Sequence, residues 1–288
     1  MVKVVAASIN PVDAKMRAGK SASAAQPAYP AVLGHDFSGV VVESPYEFCP
    51  LQPGDEVFGM VQVPRYQGSF AEFLVVSTLN VARKPTELSH VEAAAVPLAA
   101  LTAWGVVVDA AQAHKGQRVL IHAGAGGVGH FAVQFAAHFG AEVIATGSAH
   151  NAEWLRELGA SAVIDYTTTR FEDVVHDVDV VIDLIGNVHD NTGTRSLRTL
   201  RPGGLIVNIP TGSWPGFIAD AAAAGMQATH FKLAPDGRVL EGIAQLLDSG
   251  DIRVHIDRVF ELDRIAEANH LLEEGHTRGK IVLRVAEG

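Results

Sequence analysis

Gly124-Ala125-Gly126-Gly127-Val128-Gly129 is the segment whose residue types and spacing point most specifically to a chemistry. It fits G-x-G-x-x-G, with Gly124, Gly126 and Gly129 in the three glycine positions. Alone the pattern is weak. Here it follows the apolar run RVLIH at 118–122 and opens an amphipathic helix carrying Val128, Phe131, Phe135 and Phe139 on one face. In that setting one glycine permits a tight turn, the next removes the Cβ that would block a pyrophosphate, and the third lets helix and strand approach. The phosphates would meet N–H groups at a helix N-terminus, where the dipole favours negative charge. A turn needed only for packing would not require the flanking strand and helix, so a dinucleotide site is the reading adopted.

The end of the following strand selects the dinucleotide. An NAD site places Asp or Glu there, about 20 residues past the first glycine, to bind the ribose diol. This chain has Thr146-Gly147-Ser148-Ala149-His150-Asn151 instead. No carboxylate in that stretch repels a 2′-phosphate, and Ser148 and Asn151 can donate hydrogen bonds to one. NADPH is the cofactor expected. Ser148 and Asn151 also have a plain reading as helix caps.

Other chemistry is scarce. The single cysteine, Cys49, excludes an internal disulfide and any zinc site built from several thiolates. Net charge is −10 and no Lys/Arg cluster is present, which argues against a nucleic-acid partner. No apolar run is long enough to cross a bilayer, and the opening MVKVVAASIN lacks the marks of a signal peptide, so a cytoplasmic protein is expected.

The elements that must position the loop follow from periodicity. Residues 1–95 read as short strands divided by Pro and Gly turns, up to the capping box Ser89-His-Val-Glu92, from which an alanine-rich helical run continues through Leu101. From 118 onward strands and helices alternate, as in βαβ units with a parallel sheet covered on both faces. The tail holds helices near 237–247 and 263–272 and strands at 252–255 and 280–285. The predicted organisation is a mainly-β unit at 1–95, a Rossmann α/β unit with a doubly wound parallel sheet at 96–233, and a return segment at 234–288.

Several motifs in order then show a likeness. They are Ser8-Ile-Asn10-Pro11-Val-Asp13, Leu33-Gly34-His35-Asp36, Pro53-Gly54-Asp55, Gly68-Ser-Phe-Ala71-Glu72, the glycine loop, Asp165-Tyr166, Arg201-Pro-Gly203-Gly204 and Gly279-Lys280. With these the chain resembles the zinc-independent medium-chain dehydrogenases/reductases, most closely the NADPH quinone oxidoreductases that include zeta-crystallin. The resemblance implies a GroES-like substrate domain at 1–95 and hydride transfer from NADPH to a quinone or an α,β-unsaturated carbonyl. It implies that Asn10 faces nicotinamide and substrate and that Thr102 contacts the nicotinamide end. Ala125, Gly126, Gly127 and Val128 would hold the pyrophosphate, Ser148 and Tyr166 would flank the adenosine phosphate, and Lys280 would close over the cofactor. A homodimer through 204–209 and 229–233 is also implied.

Three departures accompany the likeness. Asn151 stands where many relatives have a lysine, the family's usual opening hairpin has no counterpart, and Gly34-His35-Asp36 resembles the G-H-E of zinc alcohol dehydrogenases. Asn10-Pro11 occupies the expected zinc-ligand cysteine position, so no metal is expected. A zinc-dependent alcohol dehydrogenase and a non-catalytic, crystallin-like NADPH-binding protein are the alternatives.

Overall fold

The computed structural model describes residues 1–20, 30–62 and 67–287. Two compact units emerge, one formed by 1–101 with 233–288 and the other by 102–232. From the N-terminus come β1 (Val2–Ile9), α1 (Pro11–Arg17), β2 (Asp36–Val41), β3 (Glu56–Met60), β4 (Phe73–Leu74), β5 (Val81–Arg83), α2 (His90–Ala94) and α3 (Pro97–Trp104). The second unit continues with β6 (Arg118–Ile121), α4 (Gly129–His138), β7 (Glu142–Gly147), α5 (Ala152–Glu157), β8 (Ala162–Asp165) and β9 (Val178–Asp183). It ends with α6 (Thr192–Ser196), β10 (Leu200–Asn208), α7 (Phe217–Ala223) and β11 (Gln227–His230). The chain then returns through α8 (Gly237–Asp248), β12 (Ile256–Glu261), α9 (Ile265–Glu273) and β13 (Lys280–Arg284).

Among the described residues the first unit is built on a 7-stranded sheet, β12-β13-β1-β2-β3-β5, with β4 pairing β1. Its centre is β1, antiparallel to both β2 and β13. Apolar residues of β1, β2 and β3, among them Val4, Phe37 and Val57, form its core. This sheet sets β1 between β2 and β13, so Ser8, near the end of β1, lies close to Asp36 and Lys280, which begin the two neighbouring strands.

The second unit holds a sheet ordered β11-β10-β9-β6-β7-β8, parallel throughout. Val119, Leu120 and Ile121 of β6 are wholly buried, as expected of a strand covered on both faces. From β6 the chain adds β7 and β8 on one side and then β9 on the other. The crevice at the carboxyl ends of β6 and β9 is therefore the topological switch point, where such sheets bind ligands. This is the mixed α/β, Rossmann-type architecture the alternation predicts.

Two local expectations fail. The tail strand lies at Ile256–Glu261 rather than 252–255. Buried Ile252 instead ends a loop tied back to α8 by its N–H on the Leu246 carbonyl. The true strand is an edge strand whose Asp257, Arg258 and Glu261 hide its alternation. The alanine-rich helix after Ser89 is also interrupted, because Pro97 starts a new helix that runs on through a π-helical stretch, Gly105–Ala110.

Candidate functional site

In the second unit, β6 runs into His122, Ala123 and the glycine loop before α4 begins. Ala123 adopts a left-handed φ of 50°. Its carbonyl accepts the Gly126 N–H at 3.0 Å, and the Gly124 N–H is held by the Thr146 carbonyl at 2.9 Å. The three glycines have separable tasks. A Cβ on Gly129 would lie 2.1 Å from the Ala123 carbonyl oxygen, and one on Gly124 would lie 3.0 Å from Ala145 Cβ, so both serve packing. At Gly126 the nearest atom would be the Ala123 oxygen at 3.3 Å, with nothing else within 4 Å. Beyond that contact the space is open, and no side chain caps α4. A bare backbone beside an uncapped helix N-terminus is the cradle a pyrophosphate requires. Ala125, Gly127 and Val128 complete this turn.

The adenosine-side candidates gather at the carboxyl ends of β7 and β8. Asn151 donates from Nδ2 to Ser148 Oγ at 3.3 Å, so these two form one polar unit. Tyr166 is 55% exposed, and its backbone N–H reaches the Gly147 carbonyl at 3.3 Å. One residue there was given no role by the sequence, which offered it only within the Asp165-Tyr166 motif. The Asp165 carboxylate accepts from the Thr167 hydroxyl and amide and from the Ala149 N–H, and these bonds hold its pKa below the usual carboxylate range. The 146–151 stretch lacks a carboxylate, but the fold brings one to its edge. The only signal for this was the pairing of β7 with β8, which sets Gly147 opposite Asp165.

In the first unit Asn10 and Lys280 come together in a buried polar cluster. Asn10 donates from Nδ2 to Asp36 Oδ2 at 2.8 Å and stands 3.5 Å from the Ser8 carbonyl. Its Oδ1 accepts from Lys280 Nζ, which also lies 3.3 Å from the Ile9 carbonyl and 3.5 Å from Asp36 Oδ2. An ammonium cannot accept and a carboxylate cannot donate, so the charges themselves decide which way the Asn10 amide points. Asp36 is further held by Ser8 Oγ at 2.8 Å and by the Leu98 N–H at 2.7 Å, in the first turn of α3. Asp13 accepts the Asn10 N–H at 2.8 Å on one oxygen and binds His35 Nδ1 at 2.6 Å on the other. Burial pushes the Lys280 pKa down, and Asp36 and Asp13 oppose that shift. Lys280, expected over the cofactor, is thus engaged inside this cluster. Thr102 is buried in α3.

Comparison with known proteins adds the family. Residues 1–86 match the model of the alcohol dehydrogenase GroES-like domain, and residues 158–283 match that of the zinc-binding dehydrogenases. The mitochondrial NAD(P)H oxidoreductase RTN4IP1 of Mus musculus is 36% identical over 322 residues, covering 99% of this chain and 81% of that protein. The chain belongs to the quinone oxidoreductase branch of the medium-chain dehydrogenases/reductases. A chloroplastic NADPH-dependent alkenal/one oxidoreductase of Arabidopsis thaliana is 36% identical, over 98% of this chain and 71% of that protein. The solved quinone oxidoreductase of Coxiella burnetii superposes with a TM-score of 0.92 at 36% identity, covering 99% of this chain and 89% of that one. As a member of this family of oxidoreductases the chain carries its Rossmann and GroES-like parts. The designations of the two relatives as mitochondrial and chloroplastic do not support the cytoplasmic expectation. No helix among the described residues is long and apolar enough to cross a membrane.

The matched family's description invokes zinc, and the residues present do not fit it. Among the described residues no three His, Cys, Asp or Glu side chains are grouped to hold a metal. Of the G-H-E-like segment, Asp36 is neutralised by Lys280 and His35 Nδ1 is committed to Asp13. A cation already occupies the carboxylate's company, and it is an ammonium.

Proposed function

We propose that this protein is an NADPH-dependent reductase that delivers hydride to a quinone or to the β-carbon of an α,β-unsaturated carbonyl, without zinc. The observation that carries this reading is the open Gly126 backbone at the carboxyl end of β6, beside the uncapped N-terminus of α4. The pyrophosphate would rest on residues 124–129. Ser148, Asn151 and Tyr166 would receive the adenosine phosphate, with Asp165 as the opposing charge nearby. Thr102 would contact the nicotinamide end. When bound, the cofactor supplies the hydride.

The chain's own residues have the task of stabilising the anion that hydride delivery creates, and donors aimed at that oxygen do this best. Asn10 is the proposed donor. Its first amide hydrogen is spent on Asp36, while the second has only the long Ser8 contact and retains capacity for an anionic oxygen. Lys280 is proposed to hold Asn10 and to close the cofactor side of this cluster. The similar proteins support the substrate class through their names, quinone and alkenal/one oxidoreductases.

A homodimer in the cytoplasm completes the proposal. The terminal position of β11 in its sheet supports pairing with a second copy. The functional reading is tested by following NADPH and NADH oxidation with a para-quinone and an enone, for the parent and Asn10→Ala. Turnover favouring NADPH, with loss of kcat in the variant, is expected. Equal turnover in the variant removes Asn10 from the site, and absence of turnover with every acceptor rejects the reductase.

A further inference from the structure

His122 is buried at the carboxyl end of β6, with a hydroxyl within hydrogen-bond distance of each ring nitrogen. At one end the Ala123 N–H donates to Thr146 Oγ1 at 3.1 Å. The same Thr146 oxygen stands 3.2 Å from His122 Nδ1. At the other end Ser196 Oγ donates to the Thr192 carbonyl at 2.7 Å. The Ser196 oxygen therefore accepts from His122 Nε2 at 2.8 Å. The Ser196 hydroxyl has a single hydrogen and gives it to the carbonyl, so Nε2 must carry a hydrogen, and on a neutral ring Nδ1 is left to accept from the Thr146 hydroxyl. A neutral imidazole here therefore carries its hydrogen on Nε2. Its pKa agrees: burial pushes it down to about 4, aided by Arg195 and opposed by Asp183 and Glu172.

The chain of bonds ends on the peptide about which the glycine loop turns. Ala123 is held at a φ that L-residues disfavour, its carbonyl receives the Gly126 N–H, and Gly129 packs against that same carbonyl. Phe171 stands edge-on to the imidazole with ring centroids 4.6 Å apart, which restrains the ring. Ser196 and Thr192 belong to α6, so the same bonds tie the segment after β9 to the loop after β6, on either side of the switch point.

We propose that His122 is a positioning residue whose neutral imidazole, acting through Thr146, fixes the Ala123 turn and thereby the dinucleotide-binding loop. The proposal rests on the reading of residues 124–129 as the pyrophosphate cradle. It assigns work to three residues, His122, Thr146 and Ser196, that need touch no ligand.

The test uses the full chain, with NADPH binding read by nicotinamide fluorescence below the melting transition of every variant. Thr146→Val keeps the shape and removes the hydroxyl, whereas Thr146→Ser restores it. Binding should weaken by about tenfold or more in the valine variant and stay within about threefold of the parent in the serine variant. In 15N-histidine spectra, with His122 identified by its loss in His122→Gln, the resonances should show the Nε2–H tautomer and no titration down to about pH 5.5. Parent-like NADPH affinity in Thr146→Val, or a His122 that titrates near its ordinary value, overturns the proposal. If the parent itself binds neither NADPH nor NADH, the dinucleotide reading has failed and the positioning role falls with it. Binding by the parent with indifference to Thr146 leaves the reading standing and rejects the positioning role alone.

Discussion

Removing the Lys280 ammonium while keeping Asp36 should damage the protein more than removing both charges. Lys280 and Asp36 have side-chain exposures of 3% and 0%, with Nζ 3.5 Å from Oδ2. In Lys280→Met the carboxylate keeps its bonds from Ser8, Asn10 and Leu98 but loses its counter-ion. Breaking a buried pair by deleting one partner typically costs about 3–5 kcal/mol. At about 2–4 °C per kcal/mol, a melting point lower by roughly 6–20 °C follows. Asp36→Asn/Lys280→Met removes both members of the pair, and such replacements are often neutral or stabilising, so it should recover most of that loss. Thermal and urea unfolding of the three proteins decides this. A single variant as stable as the parent, or a double variant as damaged as the single, refutes the reasoning.

Two further predictions concern the second unit. Gly126→Val should keep its fold, because its Cβ meets only the Ala123 carbonyl oxygen at 3.3 Å, yet lose NADPH affinity by at least about tenfold; Gly129→Val, whose Cβ would lie 2.1 Å from that oxygen, should instead lose stability. Fluorescence titration and thermal melting on the pair separate the two effects. His122 adds an acid limb to stability: the unfolded imidazole takes up its proton near pH 6.5 and the folded one only near 4, so the contribution is complete above 6.5 and is lost as pH falls through that window. The loss amounts to up to about 3 kcal/mol. His122→Phe should abolish it in unfolding curves recorded between about pH 4 and 7.

The glycine loop was legible because its function and its packing demand the same residues at the same spacing, between a strand and a helix that periodicity reveals. The Rossmann alternation was legible for a similar reason, since its buried strands are apolar runs. Edge strand β12 was not, because solvent-facing Asp257, Arg258 and Glu261 interrupt its pattern. The engagement of Lys280 with Asp36 and Asn10 was equally hidden. It depends on β13 pairing with β1 across some 270 residues of chain, and no local rule encodes that register. Asp165 at the second turn and Thr146 beneath the first are likewise products of strand neighbours rather than of sequence neighbours.

The central claim, hydride delivery from a nicotinamide to a conjugated acceptor, is tested most directly by isotope transfer. NADPH deuterated at C4 on one face, and then on the other, is incubated with the full chain and an enone, and the product is examined by mass spectrometry and NMR. The account predicts deuterium at the β-carbon of the saturated ketone from one of the two labelled cofactors, with the α-hydrogen drawn from water. NADPH consumed without deuterium in the product, or an enone left unreduced while NADPH is bound, contradicts it.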